Sequence, residues 1–185
     1  MSSNKNLLES QIREIYGRVV YTHKTHEKCA DILKCRYDLI RFIDIALSVV
    51  TTSSIIIHVF GDNDVTKIIS LISSALLLGL KLFSYNYNLL ALSEKHKNAA
   101  LNILEIREKL LSLIVDINIG NIEIELLQKK RDHLNGQLIN TYKGSPKTIN
   151  KAYKAASEAL QINQEFTFSD AEIDKFLPEN LRKTT

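Results

Sequence analysis

Two stretches of the chain repeat apolar residues at alternating spacings of four and three, which is the heptad pattern of coiled-coil helices. One repeat runs from Leu8 to Leu33 and the other from Leu92 to Ile117. Their members are Leu8, Ile12, Ile15, Val19, Thr22, His26, Cys29 and Leu33, then Leu92, His96, Ala99, Ile103, Ile106, Leu110, Leu113 and Ile117. We predict two long amphipathic helices that pair antiparallel as a coiled-coil stalk.

Two apolar runs lie between these repeats. Residues 45–61 contain no Asp, Glu, Lys or Arg, and 17 residues is the lower limit for a helix that crosses a membrane. Residues 68–93 form the second run, which only Lys81 interrupts before Ser93. The cluster at 61–64 is rich in turn formers. The pattern predicts a membrane hairpin whose two helices continue without a break into the stalk.

The remainder of the chain is also helical in pattern. A turn at Gly120 is followed by helices with a break before Pro146, which we expect at the first turn of the next helix. Ser169 and Glu172 have the spacing of a capping box. The predicted fold is all-α in a single domain, 1–185, with a cytoplasmic helix 4–41, spans 42–60 and 65–90, a return stalk helix 91–118, cytoplasmic helices 122–162 and a short C-terminal helix 166–181.

A soluble helical hairpin buried inside a bundle is the alternative to a membrane hairpin, because the first run is rich in Ser and Thr. Two helices that are apolar nearly all round would need a shell of other helices, and the remaining helices have only narrow apolar stripes. Basic residues flank the outer ends of both spans, and the turn between the spans has none at 61–66. This charge distribution predicts that both termini are cytoplasmic.

Polar residues inside the spans fall on one stripe of each predicted helix at 100° per residue. A hairpin closed symmetrically at its turn pairs Asp44 with Lys81, Thr51 with Ser74, and His58 with Lys67. Our candidates for pore-lining or gating residues are Asp44, Ser48, Thr51, His58, Lys67, Ser70, Ser74, Lys81 and Ser84. The alternative is that these groups only join the helices by hydrogen bonds and fix their register.

Histidines enter the otherwise apolar stalk. Thr22, His26 and His96 are predicted to form one polar layer, which either sets the register of the coiled coil or acts as a pH or metal switch. His23 lies off the repeat and is expected to be solvated.

Composition narrows the function classes. The 185 residues include 24 Lys and Arg against 21 Asp and Glu, a net charge of +3, with six Gly and two Pro. Cys29 and Cys35 are six residues apart on one predicted helix, too far for a disulfide. No catalytic, metal-ligand or cofactor-binding motif is present, so we expect no enzyme. The basic run 129–131 lies among acidic residues, which favours a solvated helix face over direct nucleic-acid binding.

The stretch LLESQIREIYGRVVYTHKTHEKCADIL, followed by two short spans and a long return helix, resembles the SLATT family of two-transmembrane effector domains of bacterial antiviral systems. The resemblance covers about Leu7 to Leu181. The segments at 16–18 and 23–26 and the ending FTFSDAEIDKFLP are most similar to the subgroup found beside reverse transcriptases.

The resemblance implies a homo-oligomer that permeabilises the bacterial inner membrane when a separate sensor, reverse-transcriptase-linked or nucleotide-producing, detects infection. It implies growth arrest or cell death as the outcome, although no nucleotide-sensing module is visible. Our candidates for inter-subunit or partner contacts are Phe166, Phe168, Phe176 and Leu177, unless they dock on their own chain. A non-conducting membrane scaffold or sensor and a soluble helical-bundle adaptor remain as alternatives.

Overall fold

The computed structural model describes residues 3–61 and 64–183, which are helical with connecting turns and contain no strand. The helices are α1 (Ser3–Gly61), α2 (Asp64–Asn86), α3 (Leu89–Ile119), α4 (Ile124–Gly144), α5 (Asn150–Gln161) and α6 (Asp170–Asp174), with a 3-10 turn at Glu179–Leu181. The predicted all-α fold is confirmed. The centre of the predicted turn between the spans, Asp62 and Asn63, lies outside the described residues.

Helix α1 is unbroken over 59 residues, which at 1.5 Å per residue is a length of about 90 Å. Its first half packs against α3 and its second half against α2. Ile12 and Val19 of α1 and Ile103, Leu110 and Ile117 of α3 are among the most buried side chains of the molecule. The apolar repeats therefore face each other as the sequence predicts, and they form the stalk.

Two further helices widen the stalk. Leu127, Leu134 and Leu138 of α4 complete the apolar cluster of α1 and α3. Helix α5 buries Ala152, Ala156 and Ala159, and it packs against α1. Because alanines recur at spacings of four and three, a small side chain lies on one face at every turn and lets the two backbones approach closely.

The apolar second half of α1 and helix α2 form a hairpin with an exposed apolar surface. Val59, Phe60 and Leu71 are 68%, 87% and 70% exposed. Two helical stretches are long and apolar enough to cross a membrane: Asn4–Gly61 and Asp64–Ile119. In the most apolar 18-residue segment of each stretch, only 11% and 6% of the segment is buried inside the molecule. The described helices thus provide no shell around the hairpin, which opposes the alternative of a hairpin buried in a bundle.

The return arm is interrupted, which corrects the prediction of continuous helices. Helix α2 ends at Asn86 and α3 begins at Leu89. The side chain of Asn88 accepts a hydrogen bond of 2.9 Å from the backbone N–H of Ala91 and so caps α3. Asparagine competes with helical hydrogen bonds in this way, and a new helix therefore begins inside the apolar run.

Helix α5 begins at Asn150 rather than at Pro146, where the sequence predicts it. Ile149 is extended, and its carbonyl accepts from the N–H groups of Ala152 and Tyr153, so the helix starts after it. The β-branched side chain of Ile149 disfavours helix, and Ala152 is buried in the first turn that follows it.

The other predicted turn and cap are present. Gly120 ends α3 in the left-handed region at φ 82°, and its N–H donates to the Asp116 carbonyl at 3.3 Å. Ser169 and Glu172 form the capping box of α6.

Candidate functional site

An ion pair joins the two arms of the hairpin near its stalk end. Lys81 Nζ donates to Asp44 Oδ2 at 2.7 Å, and the Asp44 side chain is 23% exposed. The other carboxylate oxygen, Oδ1, is buried without a hydrogen-bond partner among the described residues. The structure therefore brings together Asp44 and Lys81, the two charged residues that the predicted hairpin register pairs. Only one of the two carboxylate oxygens of Asp44 has a hydrogen-bond partner among the described residues.

A hydroxyl contact lies farther into the hairpin. Thr51 Oγ1 is 2.8 Å from Ser73 Oγ, and Ser73 is buried. The predicted partner, Ser74, instead donates to the Leu71 carbonyl and is exposed, so the predicted pairing of Thr51 is wrong by one residue. Adjacent residues on a helix point about 100° apart, and here Ser73 faces α1. Ser54 is also buried in the hairpin, and the predicted stripe does not include it.

Two further serines of the stripe bond to their own helices. Ser48 Oγ donates to the Asp44 carbonyl at 2.7 Å, and Ser70 Oγ donates to the Lys67 carbonyl at 2.8 Å. These bonds satisfy the hydroxyls on their own helix. Three members of the stripe are exposed: Ser48, Lys67 and Ser84. Two others, His58 and Ser70, are half-buried. Among the described residues, Ser48, Lys67 and Ser84 are therefore presented on the surface of the hairpin.

A histidine pair lies in the stalk. His26 Nδ1 is 2.9 Å from His96 Nδ1, and the two residues are 3% and 1% exposed. Burial lowers the pKa of His26 to about 4, with further contributions from His96 and His23, and burial also lowers the pKa of His96. At neutral pH both rings are uncharged, so one Nδ1 donates and the other accepts.

Thr22, the third predicted member of this layer, contacts other groups. Its Oγ1 donates to the Arg18 carbonyl at 2.8 Å and lies 3.4 Å from the Tyr142 hydroxyl. Thr22 thus links α1 to α4, while the histidine pair links α1 to α3.

His23 is buried, which corrects the expectation that it is solvated. Its ring stacks on Phe166 with centroids 5.4 Å apart, and its Nδ1 lies 3.3 Å from Arg107. Burial is the main cause of a lowered pKa at His23. The covering residue is 143 positions away in the sequence, so no local pattern around His23 could indicate the burial.

The same phenylalanine holds the C-terminal segment to the stalk. Lys24 Nζ and the Arg107 guanidinium lie 4.7 and 4.6 Å from the Phe166 ring centroid. The adjacent Glu165 forms an ion pair of 2.6 Å with Lys24 and one of 3.4 Å with Lys28. The hydrogen bond from Lys24 lowers the pKa of Glu165.

The other three candidate contact residues are placed differently. Phe168 and Phe176 are 65% and 83% exposed, and Leu177 is half-buried. Phe166 therefore docks on its own chain, and two large aromatic side chains beyond it remain uncovered.

The described residues include no group of three or more His, Cys, Asp or Glu side chains that could hold a metal ion. Cys29 and Cys35 are both free thiols, the first buried and the second exposed. Burial raises the pKa of Cys29, which makes this thiol less reactive at neutral pH.

A bare apolar helical hairpin on a coiled-coil stalk defines a two-span membrane protein with a water-exposed helical part. The chain belongs to the family described as SMODS and SLOG-associating 2TM effector domain family 4, whose model matches residues 8–172. The predicted SLATT family membership is thereby confirmed, and the chain is a two-transmembrane effector domain of defence systems. Comparison with curated proteins and with solved structures finds no match.

Proposed function

We propose that several copies of this effector domain assemble through their hairpins and permeabilise the bacterial inner membrane, which arrests growth or kills the infected cell. The observation that carries this proposal is the Asp44–Lys81 ion pair, because it lies on a hairpin whose apolar surface is bare. Charged groups in membrane segments face partners or water, and here one carboxylate oxygen still lacks a partner among the described residues. In our proposal the ion pair holds the closed arrangement and its rearrangement opens the path.

Exposed polar residues of the stripe support the same proposal. Ser48, Lys67 and Ser84 are on the surface of one chain, where further copies would bring them to a shared interior. The basic residues at the outer ends of the spans support an orientation with both termini in the cytoplasm.

We further propose that a separate sensor protein delivers the signal to the cytoplasmic stalk. The docked Phe166 and the exposed Phe168 and Phe176 offer a contact surface on the C-terminal segment. The source of the signal that we propose is a sensor linked to a reverse transcriptase, or a nucleotide that the sensor produces, as the sequence resemblance implies.

The test is potassium efflux from bacteria induced to express the chain. If the ion pair stabilises the closed arrangement, Lys81→Ala and Asp44→Ala each raise basal efflux by about tenfold, which corresponds to a shift of about 1.4 kcal/mol. The double exchange Asp44→Lys with Lys81→Asp restores the wild-type rate because it rebuilds the pair. Lys95→Ala, which removes an exposed stalk cation outside the spans, is the control.

Membrane fractionation accompanies every variant, so that a change in efflux is compared at equal insertion. Chain found in the membrane, with the same background efflux in all variants, would contradict a conducting role for the pair. That result would favour the non-conducting scaffold.

A further inference from the structure

A cleft of about 290 Å³ opens beside the ion pair, where the apolar hairpin meets the stalk. Tyr37, Arg41 and Asp44 line it from α1, and Lys81 and Ser84 line it from α2. The break between α2 and α3, with Tyr87 and Asn88, forms the end wall of the cleft. The cleft therefore lies at the level where lipid headgroups meet the ends of the spans.

The accessible charge in the cleft is cationic. Arg41 is exposed and has no ion pair or side-chain hydrogen bond among the described residues. Lys81 is shared with Asp44, whose second oxygen is buried and so is not presented to a ligand. One arginine and one lysine face a single half-satisfied carboxylate, which leaves a net positive site.

Further hydrogen-bond donors surround these cations. The hydroxyl groups of Ser84 and Tyr87 line the cleft and have no hydrogen-bond partner within residues 3–61 and 64–183. Asn88 and Leu89 at the start of α3 also line the cleft, but the N–H groups of Leu89 and Ala91 already donate to the Tyr87 carbonyl and to the Asn88 side chain. The guanidinium, ammonium and hydroxyl groups together form a typical phosphate-binding set.

Apolar side chains beside the cleft indicate where the phosphate comes from. Phe83 is 44% exposed and packs against Tyr87 of the cleft wall, with ring centroids 4.9 Å apart. Leu39 and Phe42, 58% and 69% exposed, lie in the same turns of α1 as Arg41 but on another face of that helix. Apolar side chains offer no hydrogen bond to a free phosphate, but they fit the acyl chains of a lipid whose headgroup occupies the cleft.

We propose that this cleft binds the phosphate of an anionic phospholipid. Arg41 binds the phosphate oxygens, Lys81 is shared between the phosphate and Asp44, and the acyl chains lie against Phe83. This binding site goes beyond permeabilisation, and its test measures lipid binding without any requirement that the hairpins conduct.

The experiment is native mass spectrometry of the full chain in detergent, titrated with phosphatidylglycerol or with phosphatidylcholine of the same acyl chains. Wild-type chain is expected to bind phosphatidylglycerol about tenfold more tightly than phosphatidylcholine, because both lipids carry the phosphate but the choline cation is repelled by Arg41 and Lys81. Arg41→Gln is expected to remove that preference. Arg36→Gln, which changes an exposed arginine outside the cleft on the same helix, is expected to keep it.

Inorganic phosphate and glycerol phosphate are added as competitors at matched concentration. Lipid binding that persists with both competitors supports a lipid site. Displacement of the lipid by inorganic phosphate overturns the proposal in favour of a site for a soluble anion. Equal binding of the two lipids to the wild type, or an unchanged preference in Arg41→Gln, also overturns the proposal.

Discussion

The buried pair of His26 and His96 makes the stalk sensitive to acid. The pKa of His26 falls from its ordinary value of 6.5 to about 4 in the folded chain, and that of His96 is lowered as well. Above pH 6.5 these rings are neutral in both the folded and the unfolded chain, so their contribution to stability is fully present. As the pH falls below 6.5, these histidines become protonated in the unfolded chain but stay neutral in the folded chain. Folding stability is therefore lost progressively down to about pH 4.

We expect the stalk to lose about 2 kcal/mol between pH 7 and pH 5 through His26. Thermal unfolding followed by circular dichroism at the two pH values measures this loss. His26→Gln is expected to cut it by half or more, and His133→Gln, at an exposed position of α4, is expected to leave it unchanged. An equal loss in wild type and His26→Gln would show that other groups cause it.

Two glycines with open space around them predict opposite effects of the same substitution. A Cβ added at Gly120 or at Gly136 would meet nothing within 4 Å, so neither change causes a clash. Gly120 has φ 82°, where an L-residue costs about 1 kcal/mol. Gly136 lies inside α4, where alanine is favoured by about 1 kcal/mol.

Gly120→Ala is therefore expected to lower the melting temperature and Gly136→Ala to raise it. Both are measured on the full chain in the same detergent. A rise for Gly120→Ala would mean that the turn after α3 relaxes out of the left-handed conformation at no cost.

At the scale of the helices, the break between α2 and α3 depends on one cap. Asn88→Ala removes the acceptor for the Ala91 N–H and is expected to destabilise the start of α3 by about 1 kcal/mol. Hydrogen exchange of the amides at 89–92 should speed up about fivefold in this variant. Asn98→Ala, an exposed position in the interior of α3, is the control and should leave these amides unchanged.

Sequence periodicity predicts the paired helices well, because burial on one stripe requires a repeat that is visible in the sequence. The same reasoning misses the break at Asn88, since the apolar run continues through it without Gly or Pro. The two asparagines at 86 and 88 are the signal that marks it. It also misses the start of α5, because Ile149 is extended and the helix begins after it, rather than at the proline at 146.

Charge complementarity in the hairpin is equally accessible from the sequence, and the Asp44–Lys81 contact follows from register alone. The environment of His23 does not, because Phe166 reaches it only after the whole chain has folded back on the stalk. Packing also explains why Thr51 contacts Ser73 and not Ser74, the residue that the sequence predicts. How the helices rotate about their axes depends on packing and cannot be read from residue counting.

At the scale of the whole molecule, the two native thiols report the proposed orientation. Cys35 is exposed on the stalk, whereas Cys29 is buried with a raised pKa. A membrane-impermeant maleimide should therefore label one thiol per chain in inverted membrane vesicles and none in intact spheroplasts. Cys35→Ser should abolish the labelling and Cys29→Ser should retain it. Labelling of spheroplasts would place the stalk outside the cell.

The uninterrupted α1 and the broken return arm give the molecule one stiff arm and one jointed arm. A tilt of about 5° applied at the stalk tip would displace the far end of an unbroken helix of about 90 Å by about 8 Å. The same tilt applied to α3 can be taken up at residues 87 and 88, before it reaches α2. If the stalk receives the signal as we propose, we expect α1 to be the lever through which a force on the stalk reaches the bilayer, and α2 to be the part that follows.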